Sequence, residues 1–346
     1  MENRVYNFDI KIDWDTISLI SDIDRFDAQW SVIEQREGQS LRQLKTIATI
    51  RSVGASNRIE GNSMTDEEID VLLKEIDVSK LVDRDSQEVV GYFDTLDMIA
   101  DNYNNIDITA SNIKSLHNLL MKHNQKDEWH RGDYKTLTNA VEATFGDGSK
   151  QIIFKTTEAG IETEDAMQQL IDWYNDESEV HALIKVAAFV YEFLSIHPFQ
   201  DGNGRLSRLL STLLLLQNGY KWVEYISFEY EIEHRKSEYY RVLRACQSNR
   251  PDEDITIWII FFLDALNNIK HQLRSKLESS GMESQLSPRE KSILLLIQNY
   301  PGIQSGEIAT KLNIPNPTVK RILAGLRDQG LIIQHGTGRS ISYSIS

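Results

Sequence analysis

The feature that most constrains the fold of this chain is a short polar segment between two largely apolar stretches. Residues 197–208 read His-Pro-Phe-Gln-Asp-Gly-Asn-Gly-Arg-Leu-Ser-Arg. Residues 187–196 before them and 209–216 after them are mostly apolar, which predicts two buried helices. Pro198 ends the first helix, because a proline cannot continue it. A loop this polar between two core helices is poorly explained by packing, so it indicates a binding site.

The glycines of this loop predict an anion site at the start of the second helix. Gly202 and Gly204 flank Asn203, and glycine permits the positive φ and close backbone approach that an anion-binding turn needs. The unpaired N–H groups of the first helical turn and the positive end of the helix dipole would face the ligand. Arg205 and Arg208 share a helix face and can hold phosphate oxygens with planar guanidinium groups. Together these residues predict a polyphosphate site.

Two further side chains of the loop supply a metal ligand and a proton acceptor. Asp201 offers hard oxygen atoms beside the anion site, and Mg²⁺ is usually held by one or two carboxylates plus substrate phosphates. His197 stands at the corner between helix and loop, where it can accept a proton near neutral pH, an effect worth roughly 10²- to 10⁴-fold in rate. Each residue alone has an ordinary structural explanation, such as a helix cap or a turn. Their order within one short run indicates a nucleotide-handling site.

The run matches the pattern HxFx(D/E)GNGRxxR at every defined position and so resembles the signature of the Fic-domain family. That resemblance implies an enzyme that binds ATP and Mg²⁺ and moves AMP onto a hydroxyl group of a target protein. It implies that His197 is the general base and that Asp201 ligates Mg²⁺. It also implies that Asn203 and the neighbouring backbone amides hold the phosphates, while Arg205 and Arg208 contact the β- and γ-phosphates.

A second segment, Ser56-Asn57-Arg58-Ile59-Glu60-Gly61, resembles the inhibitory motif (S/T)xxxE(G/N) of Fic proteins that carry this motif before the catalytic core. It follows an amphipathic helical stretch, and Gly61 is a plausible helix terminator. Ser56 and Glu60 are four residues apart, hence on one helix face. The resemblance implies that Glu60 pairs with Arg208 and blocks productive placement of the γ-phosphate. The alternative is an ordinary solvated glutamate at a helix end.

The least helical part of the chain, residues 127–157, predicts a β-hairpin, with a turn cluster at 146–149 and an apolar strand at 152–154. In the Fic family a hairpin at this place is the flap that receives the backbone of the target as an added strand. A hairpin with only a structural role is the alternative.

Adjacent tyrosines, Tyr239 and Tyr240, lie near the start of another predicted helix. The Fic resemblance implies that one or both line the adenine pocket. Paired tyrosines in this position are also common core residues, so both interpretations stay open.

The C-terminal end has a different character from the rest of the chain. The pattern predicts a helix, a short helix, a longer helix and a hairpin over residues 288–300, 305–312, 316–329 and 331–343. This order resembles the winged helix-turn-helix of bacterial transcription regulators. Residues 287–346 hold seven Lys or Arg against three Asp or Glu, a charge of +4, whereas the whole chain carries −15 and the remainder therefore −19.

This basic domain suits two kinds of partner. Lys320, Arg321 and Arg339 form a plausible footprint for DNA. Winged helices also serve protein interaction or dimerisation, and the sequence leaves both open. The acidic remainder does not favour general nucleic-acid binding.

The composition bounds the class of protein. The single cysteine, Cys246, excludes an intramolecular disulfide and fits a reducing compartment. The first residues lack a signal-peptide pattern, and the longest apolar stretch, residues 255–263, is too short to span a bilayer. We therefore expect a soluble, cytoplasmic protein without a membrane partner.

We expect a mainly α protein: a Fic-fold helical core with a small β-hairpin flap, plus a C-terminal winged-helix domain. The expected boundaries are 1–107 for an N-terminal helical region carrying the inhibitory helix, 108–279 for the Fic core and 287–346 for the winged helix, joined by a polar linker at 279–284. The expected function is an autoinhibited protein adenylyltransferase acting on a target protein or on itself, with a homo-oligomer left open.

Two alternative functions remain. One is the reverse reaction, in which Glu60 positions a water molecule that removes AMP from a modified protein. The other is a DNA-binding regulator whose Fic core senses nucleotide without turnover. His197 speaks against the second alternative, because a sensor needs the anion site and the arginines but no base.

Overall fold

A computed structural model describes residues 8–76, 81, 83–137, 140–144, 150–282, 286–338 and 341–345. These residues are mainly helical, with two small antiparallel sheets, as expected. They group into two compact units. One comprises the chain up to Trp30 together with Ala48–Lys270, and the other comprises Ser31–Ile47 and the chain from His271 onward.

The first unit contains the helices and the hairpin that surround the polar loop. In chain order its elements are α1 (Trp14–Ile59, whose middle belongs to the second unit), α2 (Asp66–Lys74), α3 (Arg84–Asn102), α4 (Ala110–Leu120), β1 (Ala140–Thr144), β2 (Lys150–Lys155), α5 (Ile161–Asp176), α6 (Ala182–Ile196), α7 (Asn203–Gln217), α8 (Phe228–His234), α9 (Lys236–Gln247) and α10 (Thr256–Met282, continuing into the second unit).

Helices α6 and α7 form the centre of this unit. Almost every side chain of both helices is buried, and α3, α4 and α5 pack around them. Full burial of one Leu or Phe side chain contributes roughly 1.5–3 kcal/mol, so an all-round apolar helix is stable only in this central place. The two buried helices predicted from the sequence are confirmed, and the polar loop between them is held at its two ends by the core.

The hairpin is confirmed by the pairing of β1 with β2. The strands run antiparallel, with Ala140 opposite Lys155 and Thr144 opposite Lys150, and the register shifts between Val141 and Glu142. The predicted turn cluster at 146–149 lies outside the described residues.

The end of the second unit has the predicted order of elements. These are α11 (Pro288–Asn299), β3 (Ile303–Gln304), α12 (Ser305–Lys311), α13 (Asn316–Asp328), β4 (Ile332–His335) and β5 (Ser342–Ile345). The sheet order is β3-β5-β4, and Ile293, Ile308, Val319, Leu323 and Ile332 meet in one apolar core.

Two expectations about segment boundaries need comment. The predicted linker at 279–284 is wrong in its first part, because α10 continues to Met282, and residues 283–285 lie outside the described residues. The boundaries at residues 107, 279 and 287 stay predictions, and most of the N-terminal helical region shares one compact unit with the core. Within the described part of the chain, no helix is both long and apolar enough to cross a bilayer.

Candidate active site

The polar loop is closed by its own asparagine. The side-chain amide of Asn203 donates to the carbonyl of Phe199 at 2.7 Å, and its Oδ1 accepts the Phe199 N–H at 2.9 Å. Gly202, at φ 76, caps α7, which begins at Asn203 as predicted. Because the Asn203 side chain is used within the loop, the contribution of this residue to an anion site would come from its main chain.

His117 supports the loop from α4 and was not identified from the sequence. Its ring stacks on Phe199 with the centroids 3.8 Å apart. The Gly132 N–H donates to Nδ1 at 3.0 Å, so the ring proton lies on Nε2, which donates to the Asp201 carbonyl at 3.0 Å. Burial lowers the pKa of His117 to about 4, so the ring stays neutral. The one signal in the sequence is a histidine among apolar residues at helical spacing, a pattern that more often marks core.

His197 lies at the end of α6 in the left-handed region, at φ 53. The residue is half-buried. Burial, with a smaller contribution from the Lys135 ammonium, lowers the pKa of His197 to about 4, against the opposing charges of Glu60 and Asp201. The ring is therefore neutral at pH 7, the state in which a histidine accepts a proton.

Asp201 offers an ionised carboxylate beside the start of α7. Its Oδ1 accepts the Gly202 N–H at 2.6 Å, and its Oδ2 lies 3.0 Å from Nη2 of Arg84. Although burial opposes it, the Arg205 charge and the Gly202 N–H hold the pKa of Asp201 below its usual value.

This donor set fits Mg²⁺ held jointly by protein and substrate. The Asp201 side chain is 40% exposed, which leaves it accessible to a cation. Among the described residues no group of three His, Cys, Asp or Glu side chains could hold a metal alone. A single carboxylate next to a phosphate site is the arrangement expected for Mg²⁺ that arrives with a nucleotide.

The guanidinium of Arg205 is held from α3. Its side chain is 2% exposed and its Nη1 lies 3.2 Å from Oε1 of Glu88, which also accepts from Nε of Arg84 at 2.7 Å. Within the described residues, Nε of Arg205 and Nη1 of Arg208 are buried without a hydrogen-bond partner. Buried donors of this kind are costly unless something accepts from them, so they fit an anionic ligand.

The guanidinium of Arg208 is held from the end of α1. Its Nη2 lies 2.7 Å from Oε1 of Glu60, and its Nε donates to Oγ of Ser56 at 2.7 Å. A Cβ added to Gly204 would collide with the Glu60 carboxylate. The carboxylate thus rests on the first turn of α7, where the sequence predicts an anion. The pairing of Glu60 with Arg208 that the resemblance implied is present.

The end of α1 is fastened by residues that the sequence did not reveal. Arg58 donates to both carboxylate oxygens of Glu233 at 2.7 and 3.0 Å and to Asp66 at 2.9 Å. Lys236 donates to the Ile59 carbonyl at 2.6 Å. These contacts hold the last turn of α1, and with it Glu60, against α2 and the α8–α9 region.

Both tyrosines of α9 lie close to the ion pair that Glu60 forms with Arg208. Their rings are 5.1 Å apart, and the charges of Glu60 and Arg208 act on both hydroxyl groups. Tyr239 is buried and Tyr240 is partly exposed. Their predicted place in an adenine pocket stays a prediction.

In the winged-helix region the basic side chains lie on α13. Lys320 and Arg321 are exposed, whereas Arg339 lies outside the described residues. A cavity of about 450 Å³ is lined by Lys320, Leu323, Ala324 and Arg327 of α13 together with residues 304–305, 334, 338, 341 and 343.

Comparison with known proteins identifies two family segments, one around the polar loop and one in the winged-helix region. Residues 107–215 match the Fic/DOC family, and residues 286–333 match the family described as winged helix-turn-helix DNA-binding. The Protein adenylyltransferase Fic of Drosophila melanogaster is 29% identical over 240 residues, 68% of this chain and 44% of that protein. The protein of the same name from Drosophila virilis is 27% identical over 270 residues, 76% of this chain and 50% of that protein. The chain thus spans about half the length of these curated relatives.

Solved structures show the same fold. A Fic family protein from Desulfovibrio desulfuricans has a TM-score of 0.63 at 24% identity and covers 99% of this chain and 98% of its own. Fic-1 from C. elegans has a TM-score of 0.56 at 20% identity over 77% of this chain and 72% of its own. By the family matches and the shared fold, the chain carries a Fic domain at residues 107–215, followed by a winged helix-turn-helix domain at residues 286–333.

Proposed function

We propose that this chain is a Mg²⁺-dependent protein adenylyltransferase that transfers AMP from ATP to a hydroxyl side chain of a target protein, and that Glu60 restrains it. The relatives named as protein adenylyltransferases support the activity. The site supports it independently, because a neutral histidine, an ionised carboxylate and two buried arginines surround the start of α7.

The residues divide the chemistry among them. His197 takes the proton of the acceptor hydroxyl while the hydroxyl oxygen attacks the α-phosphorus of ATP. The bond from that phosphorus to the oxygen that bridges the α- and β-phosphates breaks, so pyrophosphate leaves and AMP stays on the target. The first turn of α7 and the arginines neutralise the phosphate charges, the main protein contribution to such displacements. Mg²⁺ at Asp201 supplies further charge neutralisation when bound.

The single observation that carries the restraint is the position of the Glu60 carboxylate. Its Oε1 lies 2.7 Å from Nη2 of Arg208, and the carboxylate also lies against Gly204. One group therefore covers both the guanidinium and the helix turn that a γ-phosphate would use. Opposite charges about 4 Å apart attract by roughly 4 kcal/mol at an effective dielectric constant of 20, before desolvation is subtracted. A bias of this order leaves the active state a minor population.

The reverse reaction is a second candidate, favoured by the exposure of Glu60. Its side chain is 32% exposed, so a carboxylate oxygen can reach water while the residue stays beside the loop. In that reaction Glu60 would orient the water that removes AMP from a modified protein.

The test uses ATP labelled at the α-phosphorus with three proteins: wild type, Glu60→Gly and Glu60→Gly/His197→Ala, each in buffer and in bacterial lysate. We expect label on protein with Glu60→Gly and none after the second substitution. If Glu60→Gly labels no more than wild type, the restraint is refuted. Release of AMP from a labelled protein by wild type, but not by Glu60→Gly, would instead support the reverse reaction.

For the winged-helix domain we propose DNA binding, supported by its family description and by the exposed Lys320 and Arg321 on α13. Fluorescence anisotropy with a labelled duplex tests this, with Lys320→Ala/Arg321→Ala as the variant. Loss of two phosphate contacts should weaken binding and reduce its salt dependence. Equal binding by the variant and wild type would favour a protein-interaction role.

A further inference from the structure

We infer that Lys135 is a positioning residue that holds His197 in its base conformation and connects it to the β1–β2 hairpin. The inference rests on the proposed role of His197 as the base. Its first support is geometric. The main-chain N–H of Lys135 donates to the Pro198 carbonyl at 2.8 Å, and its Nζ donates to the Ile196 carbonyl at 3.0 Å. One residue therefore binds the carbonyl groups of both residues that neighbour the histidine.

His197 needs such a restraint because of its backbone conformation. At φ 53 it lies in the left-handed region, which costs a residue with a side chain roughly 1–2 kcal/mol. The following Pro198 restricts the same corner further. A strained residue persists only where its surroundings determine it, and the two hydrogen bonds from Lys135 act directly on the flanking carbonyls.

The burial of Lys135 is costly for a residue with only a packing role. Its side chain is among the largest fully buried ones in the described residues, at 1% exposure. Burial lowers the pKa of Lys135 to about 8, with the Glu158 charge opposing. Burying an ammonium group costs several kcal/mol, and an apolar side chain of similar volume would avoid that cost. The ammonium therefore contributes orientation that a hydrocarbon side chain cannot.

The same ammonium connects the histidine to the hairpin. Nζ also donates to Oγ1 of Thr156 at 2.8 Å, and Thr156 follows directly after β2. If a target adds a strand to this hairpin, the position of that strand is transmitted through Thr156 and Lys135 to the end of α6. The hydroxyl to be modified and its base are thus aligned by one side chain.

The charge of Lys135 also acts on His197. The charged groups that face the ring are Lys135, which lowers its pKa, and Glu60 and Asp201, which raise it. Removing the ammonium should therefore raise the pKa of His197, because a nearby like charge disfavours the protonated ring. A role confined to packing would not move this value.

The experiment uses the full chain with Glu60→Gly as parent, and adds Lys135→Met or Lys135→Gln. Methionine removes both donor and charge, glutamine keeps N–H donors without charge, and both keep the main-chain bond to Pro198. We expect kcat for labelled-AMP incorporation at about pH 8 to fall about 100-fold with Lys135→Met and about tenfold with Lys135→Gln. ATP affinity, measured by calorimetry, should stay unchanged.

Histidine ¹³C NMR, with the His197 signal assigned by His197→Ala, should show its pKa raised in both variants. The inference is overturned if a folded variant keeps the parental kcat and His197 titration, or if kcat, ATP affinity and melting temperature fall together with no change in titration. If Lys135→Met does not fold, Lys135→Gln decides by the same measurements. The titration needs no turnover, so it separates this inference from a failure of the proposed activity, which would appear as an unlabelled parent.

Discussion

Arg205 and Arg208 of α7 each form an ion pair with one glutamate, and the two pairs differ in how firmly the glutamate is held. Glu88, which faces Arg205, lies within α3 with its side chain 8% exposed, and it also accepts from Arg84. Glu60, which faces Arg208, is the residue at which α1 ends, and its side chain is 32% exposed. A carboxylate inside a helix moves only with that helix, whereas one at a helix end can leave when the last turn frays.

This difference assigns the two carboxylates different roles. Glu88 orients a guanidinium permanently, because its removal would leave a buried charge without its partner. Glu60 covers a guanidinium and the start of α7, and under the proposed function we expect substrate to displace it. The same chemical pair would then support the site in one place and close it in the other.

The largest expected effects come from the same substitution at both positions. Glu60→Gln should raise AMP incorporation roughly 100-fold, since loss of about 3 kcal/mol from the closed state shifts the equilibrium by that factor. Glu88→Gln, made in the Glu60→Gly parent, should lower incorporation by about tenfold, because Arg205 loses its orientation. Labelled ATP and filter counting measure both.

Thermal unfolding provides the control for this pair. Each substitution removes the partner of a buried arginine, so Glu88→Gln and Glu60→Gln should both lower the melting temperature by a few degrees. Opposite effects on incorporation would then not reflect different losses of stability. If both substitutions raise incorporation, Glu88 is a second restraint and the proposed distinction fails.

A smaller effect is expected from the contacts that fasten the end of α1. Arg58→Ala removes the bonds to Glu233 and Asp66, so the last turn should fray and release Glu60. We expect about a fivefold rise in AMP incorporation in an otherwise wild-type chain, as the loss of about 1 kcal/mol implies.

The matched control is Arg58→Ala in the Glu60→Gly parent, where no restraint is left to release. Incorporation there should not change. A rise in both backgrounds would mean that Arg58 acts on the site by some route other than Glu60.

The sequence identified the site residues that are neighbours along the chain, but not the residues that only the fold brings together. The loop residues from His197 to Arg208 were recognised because they stand in one run, and Glu60 because its own segment resembles a known motif. His117, Lys135 and Glu88 were missed, since each is an isolated polar residue in a helical or irregular stretch. Their partners lie far away, as with His117 and the Asp201 carbonyl, 84 positions apart.

The fold was predictable for a related reason. All-round apolar stretches identified α6 and α7, and periodic patterns with good caps identified the winged helix. The first part of the predicted linker was wrong because the small residues at 279–281 continue a helix. Local composition therefore predicted a helix end earlier than the one that α10 has.

The smallest expected effect concerns Arg84, whose Nη2 lies 3.0 Å from the Asp201 carboxylate. Arg84 is 64% exposed, and an exposed ion pair is worth about 0–1 kcal/mol. Because a cation at Asp201 must compete with this guanidinium, Arg84→Ala should tighten Mn²⁺ binding in the presence of ATP by about threefold. Electron paramagnetic resonance of free Mn²⁺ measures this in Glu60→Gly/His197→Ala, which we expect not to turn over. Arg84→Lys should restore weaker binding. Weaker Mn²⁺ binding by Arg84→Ala would instead indicate that Arg84 binds the phosphates. Glu88 would then hold two arginines that contact substrate, Arg84 as well as Arg205.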